Sequence, residues 1–154
     1  MAQNISQLKA LGIVHKAMLA GQVILAGISI VLFSAGIETP QMKEYDRTFQ
    51  IIAVVAAAIG FIAGTNLLKK KMREAREATN TPAEKFDRYR SASILLWALL
   101  EGPCLLSLVF FYLTANYAFI ALAAVLIFLF FIFGPSKQKA MMHLGLTDSE
   151  ADNL

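Results

Sequence analysis

Glu101 stands in the run Trp97-Ala98-Leu99-Leu100-Glu101-Gly102-Pro103-Cys104, near the middle of a long stretch otherwise free of charge. A carboxylate held in hydrocarbon costs about 2.5–3.5 kcal/mol on insertion scales, so such a residue is a functional-site candidate with a partner to be found. The chemistry open to it is the uptake and release of a proton or a cation. Pro103 has no backbone N–H and leaves the carbonyl of Leu99 without its helical donor, which puts a free acceptor close to the acid. Gln22, Ser29 and Gly36 recur at seven-residue spacing in the first apolar run and supply a polar stripe. With a rise of about 1.5 Å per residue, Glu101 lies roughly 15 Å in from Ser91 and Ser29 roughly 18 Å in from Ala17. The matching depths make Ser29 the expected hydrogen-bond partner, with Gln22 second. No Lys or Arg stands at that depth, so two readings stay open: a neutral hydrogen-bonded carboxyl that fixes packing, or a titrating ion site of Glu101, Ser29 and Pro103.

The elements that must position these residues are four apolar runs, about 17–37, 49–68, 91–113 and 117–133, in a chain that is 57% hydrophobic and only 16% charged. A helix of about 20 residues crosses the hydrocarbon core, so each run is near spanning length and the last is short. The class expected is all-α: one integral membrane domain, an antiparallel bundle of four transmembrane helices. The Thr114-Ala115-Asn116 link forces a tight hairpin between the third and fourth. Lys9, Lys16, the cluster from Lys69 to Arg90, Lys137 and Lys139 would share one side of the membrane, against Lys43 and Arg47 on the other. The positive-inside rule then puts both termini and the 69–90 hairpin in the cytoplasm, in keeping with a bacterial inner-membrane protein. The first run reads as an uncleaved anchor rather than a secretory signal, because it is longer than a signal core.

Thr81-Pro82-Ala83-Glu84 has the form of a capping box with proline in the first turn, so helix 3 is expected to begin near Pro82 and helices 2 and 3 to extend beyond the membrane. Helix 2 is expected to continue through Met72 and Ala78. The net charge of +3 is explained by this orientation signal rather than by nucleic acid. An anionic lipid at Lys69, Lys70, Lys71 and Arg73 is the sharper reading of the charged hairpin, and a solvated helical pair the simpler one. Span 2 carries Ala56, Gly60 and Gly64 at four-residue spacing, a small-residue seam that lets helices approach closely within one chain or between chains. The tail, 135–154, ends in Asp148, Glu150 and Asp152 and is expected to be solvated.

Spans 2 and 3, Gln50 to Leu113, resemble the hairpin of the rotary ATP synthase c subunit, a proteolipid. The residues that carry the likeness are Pro82, the charged helical turns after it, Ala98-Leu99-Leu100-Glu101-Gly102-Pro103 and the Val109-Phe110-Phe111-Tyr112-Leu113 end. The resemblance implies that Glu101 is the ion carrier, Pro82 the loop proline, and Gly60 and Gly64 part of the packing seam. It implies a homo-oligomer or an assembly with other membrane subunits. The alternative is a non-catalytic accessory or scaffold subunit of a membrane complex. An enzyme is not expected: the spans hold no Ser/His pair, metal-ligand cluster, second carboxylate or phosphate loop, and His15 and His143 each stand alone at a boundary. No cofactor is expected.

Overall fold

The protein, described from a computed structural model, is all-helical over residues 2–36, 40, 42–77 and 81–145. Ile37, Ala78 and the acidic residues Asp148, Glu150 and Asp152 lie outside the described residues. The helices are α1 (Ala2–Ser34), α2 (Asp46–Glu77), α3 (Pro82–Thr114), α4 (Tyr117–Ile132) and α5 (Lys137–Leu144), with a short 3-10 turn at Lys43–Tyr45. Three of them, α1 to α3, are long and apolar enough to cross a membrane. α4 and α5, bent by 73° from each other, reach that length and apolarity only when taken together as one span.

Each helix end follows from local chemistry. The Thr81 hydroxyl accepts from Glu84 N while the Glu84 carboxylate accepts from Thr81 N, so the capping box that opens α3 is complete. α3 closes on Ala115, whose φ of 58° lets its N–H reach the Phe111 carbonyl. Asn116 then caps α4 by accepting from Ala118 N. Gly134 and Pro135 end α4, because proline cannot continue a helix, and Ser136 caps α5 through Lys139 N.

α3 is the central helix and touches every other one. Its buried residues include Phe86, Trp97, Leu100, Cys104, Leu108 and Phe111. α2 lies antiparallel along one side of α3 and α4 along another, while α1 contributes a narrow stripe of Leu11, His15, Gln22 and Ser29. The α1 start, the α2–α3 link and α5 gather at one end, termed here the basic end. At the far end the Leu113 carbonyl accepts from Met42 N at 2.9 Å. There the Asp46 carboxylate also accepts from Asn116 Nδ2 at 2.7 Å and Gln50 Nε2 at 3.1 Å, which ties the α2 start to the α3–α4 link.

Candidate functional site

Two ring contacts set the register of α1 on α3. His15 lies 4.7 Å from Trp97, and Phe33 lies 4.8 Å from Phe111. Interpolating along both helices puts Gln22 level with Glu101 to Cys104, and Ser29 more than a turn farther on, beside Leu108. The Ser29 hydroxyl donates instead to the Leu25 carbonyl of its own helix at 2.7 Å, and no hydrogen bond joins it to Glu101 among the described residues. Ser107, at the same level on α3, likewise donates to its own Pro103 carbonyl at 2.8 Å.

Glu101 belongs to the side of α3 that borders α1. On that side Arg90 and Ile94 share a groove with Leu11 and Val14, and Tyr112 meets Phe33 at 6.3 Å. Glu101 stands at helical spacing between Ile94 and Tyr112, half-buried, and forms no hydrogen bond or ion pair among the described residues. Gln22 is only 1% exposed, and neither its Nε2 nor its Oε1 has a partner. A buried amide left so costs about 1–3 kcal/mol per unmet group, more than any other polar side chain at this level incurs. Cys104 completes the level: it is fully buried, with its sulfur 3.9 Å from the Ala123 carbonyl of α4.

Pro103 acts on the opposite side. Leu99 and Glu101 are two residues apart, about 200° around the helix axis. The Leu99 carbonyl freed by Pro103 is turned to α2, where a Cβ built on Gly60 would sit 2.3 Å from it and 3.3 Å from Pro103 Cγ. That acceptor faces Gly60 and is not beside the acid. Gly64 lies one turn on against Leu96, and Ala56 is half-buried earlier on the same helix. The small-residue seam of Gly60 and Gly64 is thus occupied within the chain, by α3.

The basic end holds a second polar cluster. His15 is packed between Trp97 and Phe130, stacked on the latter at 18°, and its Nε2 lies 2.9 Å from the Phe130 carbonyl. A carbonyl only accepts, so Nε2 carries the proton. The carbonyls at and just past the end of α4 are answered one by one: Phe131 by Gly134 N, Ile132 and Gly134 by Lys139 Nζ, and Phe133 by Trp97 Nε1 at 3.0 Å. A helix terminus leaves its last carbonyls without intrahelical donors, and here α1, α3 and α5 supply them. Arg76 of α2 does the same for α5, donating to the Met142 and His143 carbonyls. His15 extends the Gln22–Ser29 stripe by one further step of seven, the signal by which sequence could have placed it inside.

Of the basic hairpin residues, Lys71 pairs with Glu74 at 3.8 Å and Arg73 with Glu77 at 3.9 Å, and Lys69 and Lys70 are exposed. Such exposed pairs add about 0.3–0.5 kcal/mol each. Among the described residues, no three His, Cys, Asp or Glu side chains converge as a metal site would require. Comparison with protein-family models, curated proteins and solved structures finds no match to this chain.

Proposed function

We propose that the chain spans a membrane four times, with both termini and the 69–90 hairpin cytoplasmic, and that Glu101 with Gln22 forms a proton- or cation-handling site in mid-membrane. The observation that carries this reading is the orphan amide of Gln22 at the level of an acid that has no partner. A primary amide and a protonated carboxyl are mutually complementary. The carboxyl O–H donates to Oε1 while Nε2 donates to the carbonyl oxygen, which would satisfy both groups at once. On loss of the proton the carboxylate keeps the Nε2 donor, and a bound cation takes the place of the proton. The half-buried position of Glu101 leaves it an outward path.

The test is carbodiimide modification, which requires a protonated carboxyl. Selective labelling of Glu101 in membranes, falling at high pH or with sodium and altered by Gln22→Leu, is the expected result. If Glu101 stays unlabelled at every pH, or if Glu101→Gln leaves all transport and energy-coupling readouts unchanged, the ion-handling role is overturned.

The second reading is a non-catalytic accessory or scaffold subunit. It is favoured by the apolar outer faces of α1 and α2, where Ile24, Ile28, Val31, Ile52, Val55 and Ile59 are all exposed. Native mass spectrometry after mild extraction separates the two: a defined heteromeric partner supports the scaffold, and a homomeric ring supports the ion-handling proteolipid.

A further inference from the structure

An open groove of about 540 Å3 runs between α1 and the bend from α4 into α5. Its floor is apolar, with Leu19 and Phe131, and its rim at the basic end carries Lys16, Lys139 and Ser136. Among the described residues, no carboxylate lines it. The three ion pairs among the described residues lie on α2 and α3, and Lys16 takes part in none of them. Lys139 uses two donors on the carbonyls of Ile132 and Gly134 and forms no ion pair with a carboxylate among the described residues.

His15 adds a directed acceptor. With its proton on Nε2, the ring in its neutral form presents a lone pair at Nδ1. Gly134 leaves that edge uncovered: a Cβ there would stand 3.0 Å from Cε1 and 3.5 Å from Nδ1. The groove thus joins two ammonium groups, a titratable ring and an apolar trough that leads away from the charged rim. The other basic groove, between α2 and α3, is less suited to an anion. It contains Asp87 beside Lys71 and Arg88, and Lys71 already pairs with Glu74.

We propose that the α1–α4–α5 groove binds an anionic glycerophospholipid, its phosphate between Lys16 and Lys139 and one acyl chain along Leu19 and Phe131. The proposal rests on the reading of α1 and α4 as membrane spans. Two positive charges at the rim attract the phosphodiester, and the trough removes the first methylenes of the chain from the interface. A soluble phosphate compound would leave the apolar floor bare, so the lipid is the occupant that matches both halves of the groove.

The experiment is native mass spectrometry of the full chain released from nanodiscs that contain phosphatidylglycerol and phosphatidylcholine in equal amounts. The expected result is one retained phosphatidylglycerol, reduced about fivefold by Lys16→Gln, the weight of one basic residue near an anionic surface. Lys70→Gln, on the exposed side of α2, is expected to change nothing. Equal retention of both lipids, or equal retention by wild type and Lys16→Gln, overturns the proposal. Displacement of the retained lipid by inorganic phosphate would mark a soluble phosphate site and overturn it as well. Extraction of the protein by alkaline carbonate without detergent would overturn the membrane reading itself, a failure distinct from loss of the lipid site.

Discussion

The carbonyl of Leu99 faces Gly60 so closely that a Cβ on Gly60 would sit 2.3 Å from it. Pro103 creates this carbonyl's vacancy, and a glycine across the interface lets backbone meet backbone. Helices in lipid gain most where small residues allow such an approach, with Cα–H groups as weak donors to the carbonyl. Pro103 and Gly60 therefore work as one packing unit between α2 and α3, on the side of α3 away from Glu101.

Gly60→Ala is expected to destabilise the α2–α3 hairpin by about 3 kcal/mol, the upper part of the overpacking range, because a backbone oxygen cannot move aside. Gly64→Ala comes too close only to the Cδ1 end of Leu96, at 2.6 Å, with Leu96 Cα and Leu99 Cδ1 at ordinary contact distance, and a rotamer change relieves it. Its cost is expected to stay under about 1 kcal/mol. Reversible unfolding in mixed micelles measures both, and equal losses would refute the backbone contact.

Trp97→Phe keeps the ring against His15 but removes the donor to the Phe133 carbonyl. An unanswered carbonyl near the bend costs about 1–3 kcal/mol. The loss is expected to appear as faster hydrogen exchange at the end of α4 and in α5, with α2 unaffected. Uniform protection in the variant would show that water or another donor replaces the indole.

α5 is expected to loosen in acid. His143 stacks on Tyr89 of α3 at 6.1 Å, and Arg76 of α2 holds its carbonyl. Burial first, and then the positive charges of Arg76 and Lys139, push its imidazole below the ordinary value of 6.5. The docked state thus prefers the neutral ring, while the undocked ring takes up a proton at its ordinary value. The contribution to stability is full above pH 6.5 and is lost as pH falls through the lowered docked value. Hydrogen exchange of α5, corrected for intrinsic rates, is expected to rise below pH 6.5 in wild type and to flatten in His143→Gln. A flat wild-type profile would contradict the linkage.

Thr81→Ala removes the acceptor for Glu84 N and half of the capping box. A lost cap of this kind costs about 1 kcal/mol. The effect is expected as fraying of the first turns of α3, read by exchange at Glu84 and Lys85, with the far end unchanged.

Much of this was legible in sequence because it depends on local chemistry. Thr81 and Glu84 form their capping box whatever packs around them, and the length of an apolar run between charges sets a helix long enough to cross a bilayer. Pro103 frees the Leu99 carbonyl in any helix. Depth counted from the start of each run, however, does not find the partner that the Ser29 hydroxyl takes, the Leu25 carbonyl of its own helix. It paired the acid with Ser29, whereas α1 begins at Ala2 and its register on α3 is set by His15 against Trp97 and Phe33 against Phe111. Relative depth is a property of two packed helices, and only their contacts decide it.

The same limit applies to faces. The spacing of Gly60 and Gly64 fixes a seam, but not which helix fills it, and the isolated position of His15 in the sequence concealed its burial between two aromatic rings. Composition, caps and breakers determined the helices of this protein, because each acts within a few residues. Tertiary structure alone decided that the buried amide of Gln22 is left without a partner, that the freed carbonyl turns to Gly60, and that α1, α3 and α5 close the end of α4, because these relations join residues remote in the chain through a register no single segment carries.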